Sequence, residues 1–316
     1  MRDVFVKRLT ELAERDPRIM LITGDLGFGV LDKFAARFPD QFINAGVAEQ
    51  NMTGLATGLA LEGRIVFTYS IGNFPTLRCL EQIRNDACYH GADVKIVAIG
   101  GGFSYGALGI SHHATEDLSI LRSLPDITVV APGDDWETAE ATSALIAARG
   151  TCYLRLDKST AGDTHQPGES FRLGRARRVR DGSDGTIIAT GGILGVALTA
   201  AEELATEGVR LRVLSMHTIK PIDADAIVAA CRETAGIVTL EEHTVDGGLG
   251  SAVSEVCMDR GVIPRQFHRI GLRAGFSSIV GSQEYLRHRY GLSSASVLDA
   301  VRRTFRLQRP ASVATV

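Results

Sequence analysis

The stretch INAGVAEQNMTGLATGLAL, residues 43–61, contains a single charged side chain, that of Glu49. Glu49 is also the only charged residue between Asp40 and Glu62, and its neighbours are mostly small or apolar. The pattern predicts a buried strand followed by a closely packed helix. Because a carboxylate is almost never buried without a partner, we expect the function of this chain to depend on what Glu49 contacts.

Short β-rich runs alternate with helical stretches throughout the first half of the chain. Strands that are almost continuously apolar and separated by helices indicate a parallel sheet covered on both faces. In such sheets, ligands bind at the carboxyl ends of the strands. We predict strands at Ile19–Thr23, Phe42–Asn44, Arg64–Tyr69, Val94–Ile99, Thr128–Ala131 and Cys152–Leu156. We predict helices near Asp3–Arg15, Gly46–Leu61, Phe74–His90, Glu116–Leu124 and Trp136–Arg149.

A second alternating unit follows an irregular connection, so both halves are predicted to be α/β. The predicted domains are residues 1–160 and 185–307, joined by a linker at 161–184 that could hold one short strand and followed by a frayed tail at 308–316. Strands of the second domain are predicted at Thr186–Ala189, Leu211–Leu214, Ile237–Leu240 and Phe267–Ile270. Its helices are predicted near Leu194–Glu207, Ala224–Glu233, Gly250–Asp259 and Val297–Phe305.

The bulk composition excludes several classes of protein. With 316 residues, 45% apolar and 22% charged, the chain is typical of a globular enzyme of two domains rather than a disordered protein. A net charge of −3 gives no electrostatic reason to expect nucleic-acid or membrane binding, and no apolar run approaches the ~20 residues of a membrane span. Five scattered cysteines without a CxxC pair predict reduced thiols, no metal site and a cytoplasmic location.

Four segments could carry chemistry. Glu49 could share a proton with a ligand nitrogen, or it could simply be a helix N-terminal carboxylate stabilised by the dipole. The loop GDLGFG at 24–29 follows a strand, but it matches neither G-x-G-x-x-G nor the P-loop, so a βα turn is favoured over a phosphate cradle. Phe74, predicted at the start of a helix with Pro75 in its first turn, could offer a ring face to a flat heterocycle or could belong to the core.

The fourth segment, GGGFSYGALGISHHATEDL at 100–118, begins with three glycines directly after a predicted strand. This placement indicates a loop that bends or moves near a ligand. His112 and His113 point in different directions as neighbours, so they make a poor metal pair. One of the two histidines more plausibly lines a polar pocket, where an imidazole can exchange protons near neutral pH. The alternative is a structural role, which is favoured more for His113 than for His112.

In order and spacing, these segments resemble the transketolase family of thiamine-diphosphate enzymes. The motifs that carry the resemblance are GDL at 24–26, INAGVAEQNM at 43–52, SHHATEDLSILRSLPDITVVAP at 111–132 and YLRLDKS at 153–159. In the second half they are GTIIATGG at 185–192, VLSMHTIKPID at 213–223 and VTLEEHTVDGGLGSAVSEV at 238–256. The resemblance implies a pyrimidine-binding domain with the thiamine-diphosphate fold, followed by a smaller α/β transketolase C-terminal domain.

The resemblance also implies roles for individual residues. Glu49 falls on the glutamate that hydrogen-bonds N1′ of the aminopyrimidine ring and favours its imino tautomer. Phe74, Ile71 and Asp25 fall where the cofactor is contacted. The substrate contacts implied by the resemblance are His112, which is the family active-site histidine, His113, Arg155 and, less surely, Arg2; bidentate arginines suit a substrate phosphate.

Three positions depart from the family pattern. Ile71 stands where an aromatic residue is usual, Leu108 where an acidic residue commonly contacts substrate hydroxyls, and Gly100 where histidine is frequent. These differences leave activation of the cofactor plausible, but they put the ordinary pentose phosphates in doubt as substrates.

The sequence lacks the GDG…N magnesium motif of the family's diphosphate-binding domain, and neither GDLG nor DGGLG has its spacing. By resemblance, we expect a split enzyme in which a separate N-terminal transketolase subunit supplies the Mg²⁺ and diphosphate site. The assembly would be an α2β2 heterotetramer around a homodimer of this chain, with thiamine diphosphate bound between chains.

The resulting hypothesis is a transketolase subunit that moves a two-carbon ketol unit from a ketose-like, sugar-like donor to an aldehyde or related acceptor. Two related enzymes remain as alternatives: a decarboxylating deoxyxylulose-phosphate-synthase-like enzyme and the beta subunit of a 2-oxoacid dehydrogenase. A non-catalytic transketolase-like scaffold is the alternative from another class, and a nucleotide-binding Rossmann protein is disfavoured because the glycine fingerprint is absent.

Overall fold

A computed structural model describes residues 1–273 and 275–307 of the chain. The predicted tail at 308–316 lies outside the described residues. The strands are β1 Ile19–Thr23, β2 Phe42–Asn44, β3 Ile65–Ile71, β4 Val94–Ile99, β5 Ile127–Val130, β6 Thr151–Leu156, β7 Arg177–Arg180, β8 Gly185–Thr190, β9 Leu211–Ser215, β10 Thr218–Lys220, β11 Ile237–Thr244 and β12 Phe267–Leu272.

The α-helices are α1 Arg2–Ala13, α2 Asp32–Arg37, α3 Glu49–Leu61, α4 Leu80–Gln82, α5 Asp117–Ser123, α6 Asp135–Ala147, α7 Leu194–Thr206, α8 Ala224–Glu233, α9 Leu249–Asp259, α10 Gln283–Arg289 and α11 Ser294–Phe305. Short 3₁₀ turns lie at Pro39–Gln41, Leu77–Cys79, Gly106–Leu108 and Gly191–Ile193, and a π-helix lies at Ile83–Cys88. In the part of the chain that the structure describes, no helix is long and apolar enough to cross a membrane.

The strands form two sheets in the described residues, so the predicted α/β class is confirmed. The first sheet has the order β10-β5-β6-β4-β3-β1-β2, and the second has the order β12-β11-β8-β9-β7. All neighbours are parallel except β10 with β5 and β7 with β9. Every residue of β1, β4, β6, β8 and β9 is buried, as expected for parallel strands covered on both faces.

Apolar side chains fill both sides of the first sheet. Residues of α1, α2 and α6 form one cluster with β1, β3 and β6. A second cluster combines α3 and α5 with α8, α9 and part of β9, so it includes residues from both halves of the chain. The two halves are therefore joined by a shared apolar core as well as by the connecting segment.

The structure differs from the predicted elements at several places. Helix α3 begins at Glu49 rather than Gly46, because Gly46 has a positive φ of 72° and the backbone of Ala48 is not helical. The predicted helix at Phe74–His90 starts three residues later and is irregular, because Phe74 lies in a turn whose N–H bonds to the carbonyl of Ile71 over 2.9 Å.

One short strand joins the halves in a way that local patterns do not indicate. Strand β10 comes from the second half, yet it pairs antiparallel with β5 of the first sheet. Strand β7 lies inside the predicted linker, where the sequence allows one short strand, and pairs with β9 of the second sheet. Helices α2 and α10 were not predicted.

Candidate functional site

The candidate site lies at the carboxyl ends of the parallel strands of the first sheet. Gly24 follows β1, the segment that leads to Glu49 follows β2, Phe74 follows β3, and Gly100 follows β4. This is the edge at which an open α/β sheet binds ligands, because the loops between strands and helices converge there. The topology thus brings the segments selected from the sequence to one side of the sheet.

Glu49 is the first residue of α3, and only 2% of its surface is exposed. A Cβ on Gly24 would lie 3.4 Å from its Cγ, so the loop after β1 packs directly against the carboxylate side chain. The helix N-terminus favours the negative charge. The described residues supply one cationic partner, Arg78, whose Nη1 donates a hydrogen bond to Oε2 over 2.7 Å.

Arg78 connects two of the predicted site residues. Its guanidinium carbon lies 4.5 Å from the ring centroid of Phe74, while its Nη1 bonds to Glu49. The Arg78 side chain is 45% exposed, whereas the carboxylate it reaches is buried. Arg78 was not among the residues predicted from the sequence. The signal available was that, in the predicted helix at Phe74–His90, residues four apart would be neighbours.

His112 lies beside Phe74, with their ring centroids 5.1 Å apart in an edge-on arrangement. The hydroxyl of Ser111 is 2.9 Å from Nδ1 of His112. Partial burial, and after it the neighbouring His113, lower the pKa of His112 below its usual value. A neutral imidazole at neutral pH can both donate and accept a proton. The structure therefore brings Glu49, Phe74 and His112 together through Arg78 and the two aromatic contacts.

His113 points into the protein instead. It is 1% exposed, its Nε2 is 3.1 Å from the carbonyl oxygen of Gly106, and its ring packs edge-on against Phe103. This position fits the structural role that was the alternative for His113 and not a substrate contact. Only His112 of the pair therefore lies beside Phe74, whereas His113 packs against Phe103.

Asp25 and Ile71 border the site. Asp25 has a positive φ of 59° and is half-buried; its Oδ1 accepts from Nδ2 of Asn44, and its N–H bonds back to Oδ1 of Asn44. These bonds hold the turn after β1, which contains Gly24, against the end of β2. Ile71 is the last residue of β3 and is half-buried at the base of the turn that leads to Phe74.

Arg155 does not lie where a substrate arginine is expected. It is a residue of β6 and is 3% exposed, and its guanidinium contacts Asp157, Asp117 and the backbone carbonyl of Glu242 in the second half. Its Nη2 donates to that carbonyl over 3.0 Å. Arg155 therefore joins the two halves of the molecule and does not reach the surface of the cleft.

Lys158, three residues further on, is the exposed cation of this region. It follows the end of β6, and its Nζ lies 3.8 Å from the ring centroid of Tyr105. Lys158, Tyr105 and Arg2 line a cavity of about 470 Å³. Partial burial, and after it the charge of Arg2, lower the pKa of Lys158. Arg2 is also hydrogen-bonded to Asp3.

Tyr105 explains the glycine at position 100. A Cβ on Gly100 would lie 2.2 Å from Cδ2 of the Tyr105 ring, and Gly100 has a positive φ of 94°. A side chain at position 100 would therefore have to displace the Tyr105 ring and would strain the backbone. Leu108, the other departure on this loop, lies in the turn at 106–108 and is 56% exposed.

The glycine-rich segment DGGLG, residues 246–250, has a structural role. It leads into α9, whose first N–H groups, on Leu249 and Gly250, donate to the two carboxylate oxygens of Glu241 over 2.7 and 2.9 Å. Within residues 1–273 and 275–307, no group of three or more His, Cys, Asp or Glu side chains is arranged to hold a metal ion. All five cysteines are buried and free.

Comparison with known proteins places these features in a family. Residues 1–164 match the family model of the transketolase pyrimidine-binding domain, and residues 174–297 match that of the transketolase C-terminal domain. The chain is 37% identical over 301 residues to the 6-deoxy-6-sulfo-D-fructose transketolase subunit SqwH of Clostridium sp. (strain MSTE9), covering 95% of this chain and 92% of the relative.

Two further similarities agree with these matches. The chain is 38% identical over 263 residues to an apulose-4-phosphate transketolase subunit of Phocaeicola vulgatus, covering 83% of this chain and 84% of the relative. A solved structure described as a split gene transketolase, inactive beta4 tetramer, superposes with a TM-score of 0.86 at 37% identity over 98% of both chains. The chain therefore belongs to the transketolase family, with a pyrimidine-binding domain followed by a transketolase C-terminal domain.

Proposed function

We propose that this chain is the pyrimidine-binding subunit of a split thiamine-diphosphate-dependent transketolase. It would transfer a two-carbon ketol unit from a ketose-like donor to an aldehyde or related acceptor. The single observation that carries the proposal is the buried carboxylate of Glu49 at the start of α3, which Arg78 links to Phe74, the residue that packs against His112. Its relatives include subunits named as 6-deoxy-6-sulfo-D-fructose and apulose-4-phosphate transketolases, which supports the same class of reaction.

The residues present fit an aminopyrimidine ring. The Glu49 carboxylate is an acceptor for a protonated ring nitrogen, and the Phe74 ring supplies an apolar face to a flat heterocycle. Asp25 would hold the turn after β1, and Ile71 the turn after β3, on the two sides of the ring. Arg78 holds Glu49 through a hydrogen bond that a ring nitrogen would compete for. When bound, thiamine diphosphate supplies the electron sink for carbon–carbon bond cleavage.

His112 is proposed as the group that moves protons on the reacting carbonyl. Its lowered pKa keeps it neutral at physiological pH, so one ring nitrogen can donate while the other accepts. Lys158 and Arg2, rather than Arg155, are proposed to hold an anionic end of the substrate, because both line the 470 Å³ cavity and Arg155 is buried.

A second chain is proposed to complete the enzyme. The Mg²⁺ ligands and the diphosphate site would lie on an N-terminal transketolase subunit, and this chain would form the homodimer core of an α2β2 assembly. The similar solved structure is an inactive tetramer of beta chains, which agrees with a need for a second type of chain. We propose a cytoplasmic location for this assembly, in keeping with the five free thiols.

The deciding experiment is E49Q in the chain mixed with its partner subunit. Removal of the ionisable carboxyl is expected to lower turnover at least about 100-fold, the lower range for a proton-transfer group, while the far-ultraviolet circular dichroism stays unchanged. E62Q, at the exposed end of the same helix, is the matched control and is expected to retain full activity. Turnover of E49Q at the wild-type rate would contradict the proposed role of Glu49, whereas absence of thiamine diphosphate binding to the reconstituted wild-type pair would favour a non-catalytic scaffold.

A donor scan separates the related enzymes. A ketose phosphate offered with an aldehyde acceptor is expected to give ketol transfer without release of CO₂. Release of CO₂ from pyruvate, with or without an aldehyde, would instead favour the deoxyxylulose-phosphate-synthase-like or 2-oxoacid-dehydrogenase-like alternatives.

A further inference from the structure

The carboxylate of Glu242 reaches from the second half of the chain into the loop that carries His112. Glu242 lies in β11 and is 2% exposed. Its Oε1 accepts the backbone N–H of Phe103 over 2.6 Å, across 139 residues of sequence. This contact joins the C-terminal domain directly to the loop that follows β4 of the first sheet.

The loop is shaped to admit this carboxylate. A Cβ on Gly102 would lie 2.6 Å from Oε1 of Glu242, and Gly102 has a positive φ of 58°. No other residue type could occupy position 102 without displacing Glu242 or straining the backbone. The glycine is therefore required by the approach of a protein side chain from the other domain.

The segment from Gly102 to Ala114 behaves as one hydrogen-bonded unit. The N–H of Gly102 bonds to the carbonyl of Ala114 over 2.7 Å, and the N–H of Ala114 bonds back over 3.1 Å. Between these ends, the N–H of His112 bonds to the carbonyl of Gly109 over 2.9 Å. A displacement at the base of the loop is thus expected to move the imidazole of His112.

Side chains of the second half hold Glu242 itself in place. Arg287 of α10 donates to Oε2 through Nε over 2.5 Å, and its Nη2 bonds to the hydroxyl of Ser159 over 2.8 Å. The amide of Gln283 donates to Oε1 over 3.0 Å. A buried carboxylate with a charged donor and two further donors is firmly oriented, because every alternative position would leave one of these donors without a partner.

An aromatic contact reinforces the same junction. The Phe103 ring is fully buried and stacks on Tyr290, which follows α10, with centroids 5.3 Å apart; its other neighbour is His113 at 5.1 Å. The N–H of Gly281 also bonds to the carbonyl of Gly106 over 3.3 Å. The C-terminal domain therefore contacts the loop at its base and at its turn.

We propose that Glu242 is a positioning residue for His112, so that the C-terminal domain sets the geometry of the candidate active site. The inference rests on the proposed function for the role of His112. Glu242 itself does not touch the reacting atoms; it acts through Phe103 and the bonded loop.

The test compares E242A and E242Q with E241A in the full chain. E241A is the matched control, because Glu241 is a buried carboxylate on the same strand that caps α9 and does not contact the loop. In chain labelled with ¹³C at histidine Cε1, the His112 signal, assigned with H112Q, is expected to shift or broaden in E242A, less in E242Q, and not in E241A. In the reconstituted enzyme, kcat of E242A is expected to fall at least about tenfold with the donor KM changed less than threefold, as for a group that orients a catalytic side chain.

E242Q keeps an acceptor for the Phe103 N–H, so it replaces E242A as the test variant if E242A does not fold. An unchanged His112 signal in the folded variant, or an equal change in E241A, would overturn the proposal. The nuclear magnetic resonance result does not depend on turnover. Full activity of E49Q would therefore refute the proposed function while leaving the effect of Glu242 on His112 measurable.

Discussion

Arg78 Nη1 donates a hydrogen bond to Glu49 Oε2 over 2.7 Å, and through this pair a half-exposed cation neutralises a carboxylate that is 2% exposed. The same guanidinium lies over the ring of Phe74. The polar and the aromatic group proposed to hold the pyrimidine thus share one partner within the chain. A ligand that binds both groups would compete with Arg78 for each of them.

The first prediction concerns the stability of this pair. We expect R78M to lower the free energy of unfolding by about 1 kcal/mol. Water around the half-exposed arginine screens the ion pair, so the pair contributes much less to stability than a fully buried pair would. In the double variant E49Q/R78M, the two losses should be less than additive. Urea unfolding measures both quantities. R84M, in the same helical segment, is the control, and strictly additive losses would show that the pair is not coupled.

The second prediction concerns recognition of an anionic substrate. We expect K158M to raise the KM for an anionic donor about 10- to 100-fold, the range of a lost charge-assisted hydrogen bond, with a smaller effect on kcat. K158R should retain most of the affinity. An R155K variant should instead lower stability, because Arg155 is buried between the two halves. A larger KM effect for R155K than for K158M would contradict the assignment.

The third prediction concerns the space beside Gly100. G100A is expected to destabilise the chain by about 1–3 kcal/mol more than G150A, because an added Cβ meets the Tyr105 ring only at position 100. The two glycines have similar φ values, 94° and 83°, so their backbone penalties should nearly cancel. Thermal unfolding compares them, and G100A/Y105A should recover part of the loss. Equal destabilisation by G100A and G150A would exclude the proposed steric conflict.

The fourth prediction concerns the pH dependence of stability. Burial, and after it the charge of Arg177, lower the pKa of His217 to about 3. The unfolded chain takes up a proton near pH 6.5 whereas the folded chain does not. The contribution of His217 to stability is therefore complete above pH 6.5 and declines as the pH falls towards 3, by up to about 1.4 kcal/mol per pH unit.

Comparison of wild type with H217F isolates the pH-dependent contribution of His217 to stability. The ring of His217 stacks on Phe171 with centroids 4.3 Å apart, so phenylalanine preserves the aromatic contact. The difference in unfolding free energy between the two proteins should change in favour of H217F as the pH falls below 6.5. Parallel curves between pH 6.5 and 4 would show that His217 is protonated in the folded chain.

Much of the fold could be predicted because buried parallel strands produce continuous apolar runs. The bounds of β1 and β4 agree with the prediction at both ends. Strand β10 could not be predicted, since its three residues carry no periodic signal and its partner β5 lies about 90 residues earlier. Local pattern does not encode such a contact between halves.

The site was predictable where one residue stood out from its surroundings, as Glu49 does. It was harder to predict from the sequence that Lys158 rather than Arg155 faces the cavity. Strand β6 is buried on both faces, so its sequence shows no alternation of polar and apolar residues that would tell which side chain is exposed. The relevant signal was that Lys158 lies beyond the end of β6. The triple glycine was interpreted as a loop near a ligand, whereas in the structure Gly100 and Gly102 admit the protein's own side chains, Tyr105 and Glu242.

Strand β10 has a consequence for how this protein can be divided. It completes the first sheet from the far side of the connecting segment, so a shortened product ending at residue 164 would leave β5 as a bare edge. Bare edges recruit strands from other molecules. We therefore expect residues 1–164 expressed alone to aggregate, and the second half to be needed for a complete first sheet.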